Sequence, residues 1–340
     1  MLSVAVIGAG VIGLPTALAI QEELGPKAEV IIFTDKLSPH TTGDVSAGLW
    51  SPYLLQNTPV QQLTKWSKAT QDYILKLWKN GDAKTTGISL QLIMALSNKK
   101  DYKAPEWLKI SLGHSEFTQD RLKYYSQRYG EEFTGGYAFV GFIWEPVRFL
   151  PYLEKKFKDR GGQIRMGRVE NFAELSHFDV VVNCSGLGAR SLVPDPGVRP
   201  IRGQIARVRA PWQKHTFMLD TEPGNYVISN EDCVIVGGTH QEDDFNTGIY
   251  DNDRDHILTG CRKYLPSLAK AQVIRDQAGL RPGRDQVRLE IEERRIGEKV
   301  MKIVHNYGHG GSGVTLSIGC ALDAARLVKE AAGLAGQSKL

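Results

Sequence analysis

The stretch Ser3-Val4-Ala5-Val6-Ile7-Gly8-Ala9-Gly10-Val11-Ile12-Gly13 joins a β-branched apolar run to three glycines at fixed offsets. Ser3 to Ile7 reads as a buried strand. Val11, Ile12, Leu14, Leu18 and Ala19 then recur at helical spacing and predict a helix reaching Glu23. Pro15 falls in its first turn, where a missing N–H costs least. Glu29-Val30-Ile31-Ile32-Phe33 predicts a second strand. In a strand–turn–helix–strand unit, GxGxxG has a physical meaning. The first glycine makes the tight turn, the second lets backbone approach a pyrophosphate, and the third lets helix and strand pack closely. The helix start adds free N–H groups and a partial positive charge. Asp35, twenty-two residues after Gly13, supplies a carboxylate for ribose hydroxyls. A glycine-rich turn with a surface Asp shares part of this pattern but lacks the βαβ context. The motif predicts dinucleotide binding and does not by itself separate FAD from NAD.

Outward from this unit, Gln61–Trp78 and Pro146–Arg160 read as helices, the second closed by Gly161-Gly162. Ile88–Ala95, Ala138–Trp144, Gln163–Arg168 and Phe178–Cys184 read as strands. Gly203–Ala210, Tyr226–Ser229 and Cys233–Gly237 are extended and turn-separated, which predicts an antiparallel sheet. The segment after Gly311 reads as a helix with Leu316, Cys320, Ala324, Leu327 and Val328 on one side. The fold class is α/β, α+β overall: a Rossmann-like dinucleotide-binding domain interleaved with an antiparallel-sheet substrate domain. Residues 1–50, 142–192 and 286–340 are assigned to the first and 51–141 and 193–285 to the second.

The 340 residues carry 42 basic and 38 acidic side chains, a net charge of +4 too mild to predict nucleic acid or an anionic membrane as partner. No apolar run is long enough to span a bilayer, and the N-terminus lacks the basic region of a signal peptide. Cys184, Cys233, Cys261 and Cys320 show no metal-ligand spacing and read as free thiols. His305 and His309 are four apart, but they fall on a glycine-rich turn without a carboxylate motif and read as structural; no metal site is predicted. The chain ends in Ser338-Lys339-Leu340, the peroxisomal address.

Four further segments carry a resemblance. They are Thr41-Thr42-Gly43-Asp44-Val45-Ser46-Ala47-Gly48-Leu49-Trp50, Val180-Val181-Val182-Asn183-Cys184-Ser185-Gly186, Gly279-Leu280-Arg281-Pro282 and His305-Asn306-Tyr307-Gly308-His309-Gly310-Gly311-Ser312-Gly313. With the first motif, in this order from Ser3 to about Val328, the chain resembles the D-amino-acid oxidase family, which includes D-aspartate oxidase. The resemblance implies non-covalent FAD. It implies that Gly8, Ala9, Gly10, Val11, Ile12 and Gly13 form the phosphate loop, that Asp35 and Lys36 meet the adenosine ribose, and that Thr41 and Thr42 meet the pyrophosphate. It places Gly48 and Leu49 against the flavin, Val169 and Ser185 among the cofactor contacts, and Gly310, Gly311, Gly313, Val314 and Thr315 at the flavin ring. That last turn also has a reason of its own. Small residues let backbone approach a flat ring, and a following helix start favours negative charge on it.

The resemblance makes Arg281 the substrate-carboxylate arginine. A guanidinium matches a planar carboxylate with two parallel hydrogen bonds; on residue type alone, Arg284 and Arg288 compete. Tyr226 aligns with a tyrosine touching the same carboxylate, and Gly311 with backbone at the reacting centre. Ser51, Tyr53, Met218, His240 and Ser312 are the expected pocket lining. The reaction implied is oxidation of a D-amino acid by hydride transfer to flavin N5. Oxygen is the acceptor, and the products are a 2-oxo acid, ammonia and hydrogen peroxide. Partners are then a D-amino acid, oxygen and the peroxisomal import receptor, with a homodimer expected only at family level and the peroxisomal matrix as location. Three departures concern the substrate end. The stretch Asp220-Thr221-Glu222-Pro223-Gly224-Asn225 is short and lacks a second tyrosine, Ser51 replaces a glutamine, and Ser312 replaces a tyrosine. The aspartate branch places arginines where this chain has Met218, after Ala210-Pro211-Trp212, and His240, after Gly237-Gly238-Thr239. Gly48 to Tyr53 looks like the neutral branch, whereas the short lid and Asn183 to Gly188 look like the aspartate branch. Pocket charge acts on substrate directly, so neutral D-amino acids are the expected substrates and D-aspartate the alternative. A nicotinamide-dependent dehydrogenase and a non-catalytic binding protein share the first motif and remain the competing classes.

Overall fold

The computed structural model describes residues 1–55, 57–221 and 224–334. In chain order the elements are β1 (Leu2–Ile7), α1 (Gly13–Leu24), β2 (Ala28–Thr34), α2 (Thr42–Val45), α3 (Val60–Lys79), α4 (Ala83–Thr86), β3 (Ile88–Ser97), β4 (Leu112–Glu116), α5 (Gln119–Tyr129), β5 (Gly135–Trp144), α6 (Pro146–Asp159), β6 (Gln163–Met166), β7 (Val180–Asn183), α7 (Ala189–Leu192), β8 (Arg199–Arg209), β9 (Thr216–Asp220), β10 (Tyr226–Ser229), β11 (Val234–Gly237), β12 (Gln241–Glu242), α8 (Asp251–Tyr264), β13 (Gln272–Gly283), β14 (Arg288–Ile296), β15 (Lys299–Tyr307) and α9 (Gly313–Ala331).

Among the described residues these strands make two sheets. The first has six strands in the order β14-β15-β7-β1-β2-β6. It is parallel from β15 to β6, with β14 antiparallel at one edge. Its central strands are apolar runs because both faces are covered. α1, α3, α6 and α9 contribute to the core on one face, and Phe172, Leu175 and Phe178 pack with Ala5, Ile31 and Val181 on the other. α9 crosses α3 closely because Gly319 has no side chain: a Cβ there would lie 2.3 Å from the Trp66 carbonyl oxygen. Asp323 locks the crossing by accepting from Trp66 Nε1 at 2.7 Å and Lys65 Nζ at 2.9 Å.

The second sheet runs β12-β8-β11-β10-β9-β3-β5-β4, with β13 paired along β8. It is antiparallel except at the β3–β9 pair. α8 supplies Ile257, Cys261 and Tyr264 to the core on its outer face. β5 carries Phe142–Trp144 in this sheet, past the division expected at 141. Two features differ from the sequence reading. Residues 272–307 contain three long strands that the reading left unassigned, although Arg288-Leu289-Glu290-Ile291-Glu292 carries the polar–apolar alternation of a half-buried strand. His305 therefore sits within β15, paired in register with Asn183, and only His309 lies on the glycine turn. Among the described residues no helix is long and apolar enough to cross a membrane, and no group of three or more His, Cys, Asp or Glu is placed to hold a metal ion.

Candidate active site

The first three glycines act as the sequence pattern requires. Gly8 has φ +100°, and a Cβ on it would lie 2.6 Å from the Cys184 carbonyl oxygen. A Cβ on Gly13 would lie 1.8 Å from the Gly8 carbonyl oxygen, so the turn and helix can touch only as glycines. Gly10 differs: a Cβ there meets nothing within 4 Å, so its approach side is open. Ala9 N–H donates to Thr34 Oγ1 at 3.3 Å and ties this loop to the end of β2, where Asp35 and Lys36 stand exposed. Val11 joins three segments far apart in sequence. Its Cγ1 would lie 2.5 Å from a Cβ on Gly43, and its Cγ2 3.3 Å from one on Gly313. Ile12 precedes the helix and its carbonyl accepts from Thr16 Oγ1 at 2.7 Å. Thr41 caps α2 by donating backbone N–H and hydroxyl to Asp44, and Thr42 opens that helix.

Ser185, at the end of β7, is held by a buried relay. Its N–H and hydroxyl both donate to Asn183 Oδ1, at 3.1 and 2.6 Å. Asn183 Nδ2 lies 3.2 Å from His305 Nδ1, and His305 Nε2 lies 2.8 Å from Glu292 Oε2. Burial pulls the His305 imidazole down to about 4, helped by Arg288 and opposed by Glu292. Burial alone would raise Glu292, but hydrogen bonds from Arg294 and His305 outweigh it and hold the carboxyl at about 2. His305 is therefore neutral near pH 7; it donates from Nε2 to a carboxylate and accepts at Nδ1 from the Asn183 amide. Val169 is buried in the core beside β1 and β2.

The late glycine turn meets the segment that follows Gly48. Gly48 has φ +76°, and a Cβ there would lie 2.3 Å from the Trp144 carbonyl oxygen. Leu49 bridges to Ile143. Thr315 Oγ1 accepts from Ser51 N–H and donates to the Ser51 carbonyl, both at 3.0 Å. A Cβ on Gly310 would lie 2.2 Å from the Leu54 carbonyl oxygen, and one on Gly311 2.5 Å from Tyr53 Cδ1. Val314 is buried under this turn. Ser312, expected as pocket lining, is fully buried instead. Its hydroxyl is taken up by the Tyr53 backbone, accepting from the N–H and donating to the carbonyl.

Arg281 and Tyr226 come together on the inner face of the nine-stranded sheet. Met218 is paired directly with Tyr226, so the two side chains share that face. Arg281 Nη1 donates to the Thr239 carbonyl at 3.0 Å, and its guanidinium carbon lies 6.0 Å from the Tyr53 ring centre. Among the described residues no carboxylate pairs with it. The other candidate arginines are engaged: Arg284 with Asp195 at 3.0 Å, and Arg288 with Glu290 at 2.7 Å and Glu292 at 3.0 Å. Burial raises the Tyr226 phenol above its ordinary value, with Arg281 opposing. His240 is exposed, one residue past Thr239, and no contact brings it to Arg281. Two surface clefts, of about 450 and 610 Å³, lie elsewhere and include neither Arg281 nor Tyr226.

The sequence pattern described as FAD dependent oxidoreductase matches residues 3–327. The chain is 37% identical over 332 residues to human D-aspartate oxidase, covering 96% of this chain and 94% of that protein. It is 40% identical over 337 residues to the D-amino acid oxidase of Dugesia ryukyuensis, covering 96% and 97%. The chain belongs to the D-amino-acid oxidase family of FAD-dependent oxidoreductases. The glycine oxidase structure from Geobacillus kaustophilus shares its fold, with a TM-score of 0.77 at 17% identity over 97% of this chain and 95% of that one.

FAD is the cofactor of this family member, and the residues present fit it. The open side of Gly10 faces no protein atom, as close approach of a phosphate requires. Two buried polar atoms along the cofactor segments, Ser46 Oγ and His309 Nε2, have no partner among the described residues and suit a ligand rich in hydroxyls and carbonyls. Sequence reasoning missed Gly203, Gly237 and Gly238. A Cβ on Gly203 would lie 2.3 Å from the Arg281 guanidinium, and Cβ atoms on Gly237 and Gly238 would lie 2.3 and 2.6 Å from the Tyr226 ring or hydroxyl. A glycine inside a strand pattern is a signal of such close approach, and Gly203 carried it. Asn183, Glu292 and the Thr239 carbonyl left no comparable signal.

Proposed function

We propose that this oxidoreductase binds FAD non-covalently and converts neutral D-amino acids to 2-oxo acids, with oxygen as electron acceptor and ammonia and hydrogen peroxide as further products. The observation that carries the reading is the Arg281–Tyr226–Met218 face: one cation, one phenol and one thioether on a single sheet surface. When bound, FAD supplies the acceptor for the two electrons and hydrogen leaving the substrate α-carbon. The protein's part is orientation. Arg281 takes the substrate carboxylate with the donors that Thr239 leaves free, and the Tyr226 hydroxyl adds a further contact. Desolvation of the amino group beside the fixed Arg281 charge favours its neutral form, so no side-chain base is needed at the α-carbon. Met218 offers an apolar, adaptable wall where a second substrate carboxylate would need a cation.

The test is kcat/KM for D-alanine, D-methionine and D-aspartate at one pH and one oxygen concentration, with peroxide release as the readout. Higher values for the two neutral substrates are expected. A higher value for D-aspartate would reverse the choice and make exposed His240 the first candidate for its second carboxylate. Delivery to the peroxisome through Ser338-Lys339-Leu340, which lie outside the described residues, is supported by the tripeptide itself. A chain lacking it is expected to stay in the cytosol.

A further inference from the structure

Arg202 has no part in the chemistry above, yet its side chain is fully buried. Burying a guanidinium is costly unless every donor is met. Here they are. Nη1 donates to Asp253 Oδ2 at 2.8 Å and Gln241 Oε1 at 2.9 Å. Nη2 donates to Gln204 Oε1 at 2.7 Å and the Gly248 carbonyl at 2.6 Å, and Nε donates to the Asn246 carbonyl at 2.9 Å. The Tyr250 ring stacks 4.1 Å from its carbon. Residues 245–250 are all exposed, so this segment has no apolar core of its own. Polar bonds to one arginine and its neighbour Gln204 close it against the sheet.

The clamp leads to Arg281. Thr239 Oγ1 accepts from Gln204 N–H at 2.9 Å and donates at 3.0 Å to the same Gln241 oxygen that Arg202 holds. The Thr239 carbonyl then takes Arg281 Nη1 at 3.0 Å. Arg202 and Gly203 are adjacent on β8 and face opposite sides of the sheet. The Arg281 guanidinium lies over Gly203, and the clamp lies behind it. We propose that Arg202 is a positioning residue: it fixes Thr239, and through its carbonyl sets the direction of the Arg281 guanidinium, without touching substrate or cofactor. This rests on Arg281 being the carboxylate-binding arginine.

The experiment uses the FAD-loaded enzyme and three variants. Arg202→Lys keeps a cation for Asp253 but loses the five-donor fork. Thr239→Val leaves the clamp whole and cuts its link to the 239 carbonyl. Arg281→Leu tests the underlying reading. For both Arg202→Lys and Thr239→Val, KM for D-alanine is expected to rise about tenfold with kcat changed less than about threefold. The dissociation constant of benzoate, read from the flavin spectrum, is expected to rise by a similar factor, and flavin content to persist. The double variant is expected to be no worse than the poorer single, because both act on one link. If Arg202→Lys lowers Tm but leaves KM and benzoate binding unchanged, the inference is overturned. If Arg202→Lys does not fold, Thr239→Val decides alone, and a normal KM there overturns it equally. An Arg281→Leu enzyme with unchanged KM would instead remove the reading on which both rest.

Discussion

Gly8 and Gly13, in the turn between β1 and α1, press against backbone, whereas Gly203 and Gly237, in the nine-stranded sheet, press against side chains. Gly8 and Gly13 leave room for the carbonyls of Cys184 and Gly8; Gly203 and Gly237 leave room for the Arg281 guanidinium and the Tyr226 ring. A backbone contact cannot yield by rotating a bond, so the fold tolerates only glycine at positions 8 and 13. A side chain can yield, so the substrate end is set by convergence of residues from β9, β10 and β13 and is softer to substitution. Rigid backbone suits a cofactor that stays. Side chains held by hydrogen bonds, as Arg281 is by the Thr239 carbonyl, suit a substrate that comes and goes.

The contrast can be broken at its hardest point. Gly13→Ala forces a Cβ to 1.8 Å from backbone and is expected to abolish flavin retention and lower stability by about 3 kcal/mol or more. Gly10→Ala, with open space in the protein, is expected to keep the Tm of the apoprotein while losing FAD affinity. Thermal melts of apoprotein with flavin titration separate the two. Equal destabilisation by both would mean that the loop is not shaped as described. Next in size, Arg281→Leu is expected to cost about 2–5 kcal/mol in kcat/KM with flavin content intact. Near-normal kcat/KM would show that another cation holds the carboxylate.

The cofactor half is expected to be the acid-sensitive one. His305 has its folded pKa at about 4, below the ordinary 6.5, so its contribution to stability is complete above pH 6.5 and is lost as pH falls through 4. Glu292, at about 2 against 4.5, acts in the same direction at lower pH. The His305 share is on the order of 3 kcal/mol. Tm measured between pH 7 and 4 is expected to fall less steeply in His305→Asn than in the unaltered protein; parallel curves would place the acid sensitivity elsewhere. The smallest effect is expected at the substrate end. Gly203→Ala meets a side chain that can move, and KM for D-alanine is expected to rise about tenfold, about 1.4 kcal/mol, with Tm nearly unchanged. A collapse of Tm there would make Gly203 a backbone glycine like Gly13 and erase the contrast.

By itself, the sequence determined the nucleotide end. β1, α1 and β2 formed where β-branched runs, helical spacing and Pro15 required them, because those preferences act within a few residues. The motif could be read because a tight turn against a phosphate needs glycines at fixed local offsets. Only the tertiary structure decided what Ser312, His305 and Arg202 do. Ser312 looked like a pocket residue until the backbone of Tyr53 reached it from 259 positions away. His305 looked like part of a turn until its pairing with Asn183 put it in a strand beside Glu292. Arg202 has nothing in its sequence surroundings to mark it, and it is the loop after Thr239, folding over it, that buries it. Local patterns set which element a residue joins. The partner that satisfies a buried hydroxyl, imidazole or guanidinium is chosen by how the sheets and loops close on one another, and sequence spacing does not record that distance.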